Sequence, residues 1–422
     1  MPVFETLADW LSWQETLHPQ EIELGLERIQ RVYHRLQSSP FSVPVITVAG
    51  TNGKGSSIAM LTSIYQQQGY RTGSYTSPHL LRYNERICIN GQPVSDETLC
   101  DAFERVEQAR QTESLTYFEF GTLAALDIFH RLELDVILLE TGLGGRLDAV
   151  NIVDTDAALI TTIDLDHQQW LGNDREAIGR EKAGIFRSGR PAICADTSPL
   201  ESLKAEAERV GASWLVVGSD FHSQVEKDHW CWHSATLELT DLPLPALPGA
   251  HQLRNAAGVL MVINQLSDRL PVIADAIRQG LQSVTLVGRL QRISGDVDII
   301  MDVSHNLQGI TALTAWIEKQ TCSGQSIAIF GMMADKDLTA VIEQLSGTID
   351  LWITVDLQIP RAATAASLCD AVNAVSVDTP CHACENMDVA RRLAENASRS
   401  GDRVIICGSF HTVAEWLASG GG

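Results

Sequence analysis

Short apolar runs rich in β-branched residues alternate with amphipathic stretches along most of this chain, a pattern that predicts parallel βαβ architecture. The runs VITVA, DVILLE, AALITTID and SWLVV occupy the first two thirds, and DIIMDV, SIAIF, LWITV and RVIICG the last third. Between the two series lies SVTLVGRLQRI, Ser283 to Ile293, which places a domain boundary near Val287 and gives domains of 1–287 and 288–422. The proline-rich stretch from Leu237 to Ala257 predicts a loop that leads into a helix. A chain of 422 residues can bury a separate core in each of two such domains.

The run VITVA ends in Gly50, Thr51, Asn52, Gly53, Lys54, Gly55 and Ser56. A helical pattern follows at once, with Ile58, Leu61, Ile64 and Tyr65 on one face and Gly69 as its stop. Strand, glycine loop and helix start together make a phosphate cradle: backbone N–H groups and the helix dipole face the anion, and the lysine neutralises its outer oxygens. The loop departs from the common GxxxxGK[ST] pattern, since Val48 replaces the first glycine and Gly55 separates Lys54 from Ser56. A glycine-rich turn with an exposed lysine is the plainer alternative. The flanking strand and helix favour a nucleoside triphosphate. No guanine-reading N/T-K-x-D motif accompanies it; the nearest text, Ala334 to Asp337, is ADKD.

Composition narrows the partners. A formal net charge of -22 argues against a nucleic-acid backbone or an anionic membrane as the main partner, though a local loop or metal can still hold a small anion. No apolar run approaches bilayer length, and the first residues carry acids where a signal peptide carries lysine or arginine, so a cytoplasmic location is expected. The nine cysteines then read as reduced thiols. CHAC, Cys381 to Cys384, is predicted to be a surface loop, and HWCWH, His229 to His233, alternating strand residues; neither spacing argues for a metal.

Polar groups recur where the predicted strands end. Glu140 closes DVILLE before a glycine-rich turn, and Asp164, Asp166 and His167 follow AALITT. Ser77 sits in a Ser-Pro turn. Carboxyl ends of strands are where α/β sheets hold ligands, and Mg2+ wants hard oxygen donors that bridge phosphates. Each signal alone also fits a structural cap. Lys182, in GREKAGIFRSG, reads as a solvated helix lysine.

AGTNGKGS, TSPHLLRYNERICING, TYFEFGTLAAL, ETGLGGRLDAVN, DHQQWLG, REKAGIF, MDVSHN and GSFHTVAEW, in this order over nearly the whole chain, resemble the folylpolyglutamate synthase family. The likeness is to its bacterial bifunctional branch, within the Mur-ligase-like group of ATP-dependent amide ligases. The resemblance implies a P-loop Mur-ligase-like ATP-binding α/β domain followed by a smaller Rossmann-like α/β domain. It implies addition of L-glutamate to dihydropteroate and to reduced folates through an acyl phosphate, by a monomer. ATP and Mg2+ are the implied cofactors, with two magnesium ions and room for a monovalent cation.

Residue roles follow from the same resemblance. Thr51, Asn52, Gly53, Lys54, Gly55 and Ser56 would hold the phosphates, with Asn255, Arg289 and Asp302 as further ATP contacts. Ser77, Glu140 and His167 would bind Mg2+, and Lys182, carbamylated in relatives, would support a second ion. Thr16, Leu17, His18, Thr116, Tyr117, Phe118, Glu119, Leu147, Asp148 and Ala149 would form the pterin side. The aromatic pair Tyr117 and Phe118 suits a flat ring but also fits a helix core. His305, Ser409 and His411 are the choices for the glutamate side, with Lys54, Lys182 and His305 expected to act in catalysis. Folylpolyglutamate synthase activity alone, another Mur-type amino-acid ligase and a nucleotide-dependent switch are the competing readings. A cell-wall Mur ligase normally carries a UDP-sugar domain before the loop, for which the residues ahead of Gly50 are too few.

Overall fold

The computed structural model describes residues 4–37 and 39–420. It divides into two compact units: one runs up to Ala246 and takes in Gln252–Val284, the other combines Leu247–His251 with the chain from Thr285 onward.

The first unit is built on an eight-stranded sheet of β1 (Val45–Ala49), β2 (Thr72–Tyr75), β3 (Ile87–Ile89), β4 (Gln92–Pro93), β5 (Val136–Glu140), β6 (Ala157–Ile160), β7 (Pro191–Cys194) and β8 (Ser213–Val216). Their order is β4-β3-β2-β5-β1-β6-β7-β8. β1 pairs in parallel with β5 on one side and β6 on the other, and all five of its residues are buried. That is why VITVA carries no polar alternation: a central parallel strand is covered on both faces. Only the pairings of β3, with β2 and with β4 at one edge, are antiparallel. The helix Lys54–Gln67 returns from β1, and Gly69 ends it at φ +95, as the pattern predicted.

The same unit holds a three-stranded antiparallel sheet of β9 (Phe221–Glu226), β10 (His229–Ser234) and β11 (Glu238–Pro243), in the order β11-β10-β9. Trp230 and Trp232 are fully buried on one face of β10, the alternation that HWCWH predicts. The expected loop from Leu237 is in part a strand. Leu239 and Leu242 of β11 bury beside those tryptophans, and a register shift accommodates their three-residue spacing. Proline stands only at the last residue of β11, where it interrupts no central ladder.

The second unit carries a six-stranded sheet of β12 (Gln291–Ile293), β13 (Asp298–Met301), β14 (Ser326–Phe330), β15 (Leu351–Val355), β16 (Cys381–Cys384) and β17 (Arg403–Cys407). Its order is β12-β13-β17-β14-β15-β16, parallel except for β12. CHAC, expected to be a loop, is the edge strand β16, drawn into the sheet by the open hydrogen-bonding edge of β15. Phe330 and Trp352 meet edge-on at 5.5 Å in this unit's core. Truncating either to Ala costs about 3–5 kcal/mol. All nine cysteines are free thiols, and among the described residues no helix is long and apolar enough to cross a membrane.

Candidate active site

The parallel order β2-β5-β1-β6 sets four carboxyl ends side by side. They are followed, respectively, by Ser77, the turn after Glu140, the loop Gly50–Ser56 and the segment Thr161–His167. A sheet whose strand order reverses about β1 opens a crevice at this edge. The predicted phosphate and metal residues of the first unit therefore share one rim of the sheet.

The loop is pinned from β6. Thr161 donates its hydroxyl to Asn52 O at 2.7 Å, and Thr162 does so at 3.2 Å. Thr51 N donates to Thr162 O at 2.7 Å, and the Thr51 hydroxyl bridges Asp164 O and N at 3.1 and 3.0 Å. Gly50 must be glycine, because a Cβ there would lie 1.8 Å from the Thr161 hydroxyl. Gly53, at φ +91, is the helix N-cap, and its missing Cβ would fall 2.6 Å from Asn255 Oδ1. Asn255 donates to Gln252 Oε1 at 3.0 Å and Gln252 to Ser56 Oγ at 3.2 Å, so a second helix braces the loop. No side chain caps the helix at Gly53, which leaves the first-turn N–H groups to an anion.

Two lysines meet at one oxygen. Lys54 Nζ donates to Gly50 O at 3.0 Å and Thr51 O at 3.3 Å, while Lys182 Nζ reaches the same Gly50 O at 2.8 Å. Lys182 is buried rather than solvated as its plain helical text suggests, because its helix, Arg175–Ala183, turns it inward. Burial, reinforced by the charge of Lys54, lowers its pKa to about 7 despite Asp166 and Asp148 nearby. Burial also pushes Asp148 up to about 6, although backbone N–H donors and Lys54 oppose it.

Glu140 is 4% exposed, and its Oε2 lies 3.6 Å from where a Cβ on Gly55 would stand. A buried carboxylate against the phosphate end of the loop, with the Ser77 hydroxyl on the neighbouring strand end, is an oxygen donor set that fits Mg2+. His167 sits in the left-handed region at φ +50 and caps a short helix with its ring partly exposed. Among the described residues no three His, Cys, Asp or Glu side chains converge on one point. An ion here would rely on Ser77, phosphate oxygens and a modified Lys182 as well as Glu140 and His167.

The segments assigned to the pterin come together, but not every polar group among them is available. Leu17, Tyr117, Phe118 and Ala149 join one hydrophobic cluster, and Leu17 O accepts from Ser114 at 3.1 Å. Thr116 and Glu119 form the capping box of the helix Tyr117–Arg131, and Arg28 Nε donates to both Glu119 oxygens at 2.9 Å. The Thr16 hydroxyl donates to Trp13 O, and His18 lies 3.1 Å from Glu23. Asp148 holds the turn around half-buried Leu147, accepting from Leu143 N at 2.7 Å and Val150 N at 3.1 Å. Phe118 lies against Gly142, where a Cβ would come within 2.6 Å of the ring, and Tyr117 packs edge-on to Tyr83.

In the second unit β13 and β17 are parallel neighbours, and the predicted residues gather at their carboxyl ends. Asp302 accepts from Leu290 N at 2.8 Å and Ser304 N at 2.9 Å, which fixes the turn bearing Arg289. The Arg289 guanidinium lies 5.2 Å from the Phe410 ring centroid, and the His305 ring 6.0 Å from it. Ser409 is buried as the N-cap of the helix Phe410–Ala418, accepting from Thr412 N at 3.0 Å, and His411 is exposed on the first turn.

Residues 48–263 match the Mur ligase middle domain, and residues 288–410 match the Mur ligase glutamate ligase domain. The dihydrofolate synthase/folylpolyglutamate synthase of Escherichia coli K12 is 42% identical over 97% of this chain and 94% of that protein. This chain belongs to the dihydrofolate synthase/folylpolyglutamate synthase family of Mur ligases. The structure of E. coli FolC in complex with DHPP and ADP superposes with a TM-score of 0.94 at 40% identity, covering 99% of this chain and 98% of that one. A bifunctional folylpolyglutamate synthase/dihydrofolate synthase with Mn, AMPPNP and L-glutamate bound gives a TM-score of 0.90 at 42% identity over 99% and 98%. The family fold expected from the sequence is therefore the observed one. Missed in the sequence were Thr161, Thr162 and Gln252, which build the loop, and Phe410, which Arg289 and His305 flank. The text ITTID held the first two in plain view, but a threonine pair after a strand has no signature until the loop it binds is known.

Proposed function

We propose that the rim of the first sheet binds ATP with Mg2+ and activates the carboxylate of dihydropteroate or a reduced folate for coupling to L-glutamate. As a family member the chain is an ATP-dependent carboxylate–amine ligase. The observation that carries the residue-level reading is the pairing of Lys54 and Lys182 on the Gly50 carbonyl, beside an uncapped helix start and buried Glu140.

An amine does not displace oxide from a carboxylate, so the carboxylate oxygen first attacks the γ-phosphoryl group. ADP leaves and an acyl phosphate forms. Lys54 and the first-turn N–H groups stabilise the charge spread over the transferring phosphoryl oxygens. Asn255 keeps Gly53, and hence the loop, in register. Bound Mg2+ would add positive charge at those oxygens. Ser77, Glu140 and His167 would hold it. Lys182, its pKa lowered by burial to about 7, can add CO2 at its neutral amine and lose a proton, turning a cation into an anionic ligand for a second ion. The glutamate amine then attacks the acyl carbon, phosphate departs with the bonding pair, and the amine sheds a proton. Phe118 and Tyr117 offer a flat apolar wall to a pteridine. Arg289, Asp302, His305, Ser409 and His411 are proposed for nucleotide and glutamate contacts.

The test is a product analysis with ATP, Mg2+ and L-glutamate, offering dihydropteroate and tetrahydrofolate separately. Glutamate-dependent ADP release and one added glutamyl group with each acceptor are expected. ADP release that needs neither acceptor nor glutamate would remove the ligase reading. Product from tetrahydrofolate alone would restrict it to folylpolyglutamate synthesis.

A further inference from the structure

The acceptor has to carry a carboxylate anion up to a triphosphate, yet the residues placed on its side of the crevice are aromatic, apolar or already hydrogen-bonded. Arg86 is a cation there that no described carboxylate pairs. It ends the turn that follows Ser77: its carbonyl accepts from Thr76 N at 2.9 Å, and the next residue, Ile87, is the β3 partner of Tyr75. Its guanidinium lies 5.3 Å from the Tyr83 ring centroid and 5.7 Å from that of Tyr117, two rings that meet edge-on at 5.6 Å. Arg86 therefore stands where the aromatic wall of Tyr117 and Phe118 meets the strand end bearing Ser77. Tyr75, its ring 5.9 Å from that of Phe118, feels the positive field of Arg86 and the negative field of Asp148, and Asp148 in turn feels Lys54. The four groups are neighbours along one rim.

The donors of Arg86 are unevenly used. Nε donates to His79 Nδ1 at 2.8 Å, which fixes the plane of the guanidinium. Nη1 and Nη2, the forked end, donate to nothing among the described residues, whereas Arg82 on the same turn and Arg28 beside the wall are held by Asp96 and Glu119. We propose that Arg86 recognises the reacting carboxylate of the acceptor, with Nη1 and Nη2 each donating to one of its oxygens. A planar fork on a planar carboxylate is a bidentate match that a lysine cannot make. The half-buried guanidinium, laid against two rings, is partly stripped of water, so its charge acts more strongly than on an open surface. The grip offsets repulsion between carboxylate and triphosphate and aims one oxygen at the γ-phosphoryl group. Each carboxylate oxygen has two lone pairs, so the attacking one can keep its bond to Arg86. The inference rests on the ligase reading of this rim and adds to it the residue that selects the acceptor.

The experiment compares dihydropteroate with its uncharged primary carboxamide, each titrated into the full chain without nucleotide, beside steady-state ligation. The parent should bind the acid about ten- to a hundredfold more tightly, the scale of hydrogen bonds to a charged group. In Arg86→Gln the acid should weaken by about that factor while the carboxamide binds as it does to the parent. The KM for dihydropteroate should rise in step, with the KM for ATP unchanged. Arg86→Lys, which keeps the charge without the fork, should recover only part of the preference. A preference for the acid unchanged in Arg86→Gln, an equal loss of both ligands, or a rise in the KM for ATP alone overturns the proposal. A parent that forms no glutamate-dependent ADP strikes instead at the ligase reading, which the binding comparison does not use.

Discussion

The carboxyl ends of the two large sheets are similar in topology and opposite in electrostatic character. At the end of β13, Asp302 spends both oxygens on backbone N–H groups, and at the end of β17 the Ser409 hydroxyl caps a helix. Around the ends of β1, β5 and β6 two ionisable groups are held against their preference: Lys182 is depressed to about 7 and Asp148 raised to about 6, each chiefly by burial. Satisfied polar groups make a scaffold that positions its neighbours. Groups kept from their ordinary protonation state are ready for a ligand of complementary charge, and such groups cluster at functional sites.

The largest expected effect falls on the strained rim. Lys54→Ala should lower glutamate-dependent ADP formation by about 10²–10³-fold or more, the scale of losing one preorganised charge donor, with the melting temperature nearly unchanged. Normal turnover in that variant would break the contrast outright. Gly53→Ala comes next: its Cβ meets Asn255 and its φ of +91 is unfavourable, so turnover should fall by about 10²-fold through loop displacement. Restoration by pairing it with Asn255→Ala would show that the steric contact, not the backbone angle, dominates.

Lys182 gives a pH signature. Below its lowered pKa of about 7 it is an ammonium, and above it a free amine, and carbamylation also releases a proton, so the 13C carbamate signal under fixed dissolved CO2 should rise by well over about tenfold from pH 6 to pH 8, until it saturates, and vanish in Lys182→Met. Between about 7 and the ordinary lysine value of 10.5 the unfolded chain keeps a proton that the folded one has released. Folding stability therefore climbs with pH through that window, and Lys182→Met flattens the climb in denaturant titrations. At the satisfied rim the effects are smaller. Asp302→Ala should cost about 1–3 kcal/mol for the donors left without partners. Ser409→Ala should cost about 1 kcal/mol for the lost cap.

Much of this contrast is invisible in the sequence. The buried strands were legible because VITVA, SIAIF and LWITV are apolar but for one small hydroxyl residue each, Thr47, Ser326 and Thr354, and show no polar alternation, as suits a doubly covered strand. Glu238–Pro243 was not, since its bulge breaks the period of two and the prolines at and after its end, Pro243, Pro245 and Pro248, suggest a loop. Cys381–Cys384 was too short to register against its surroundings, and only the exposed edge of β15 makes it a strand. At the site the glycine loop declared its chemistry, but the depressed Lys182 did not. A lysine on a polar helix looks the same in text whether it meets water or the Gly50 carbonyl.

The loop's fastenings also set a schedule. Asn52 is held by a residue 110 positions later, and Ser56 by one 196 positions later. A nascent chain that has emerged through its first helices carries the complete glycine text and none of its supports. Competence to grip a nucleotide thus arrives abruptly, late in translation, once the Gln252–Asn255 turn clears the ribosome and docks.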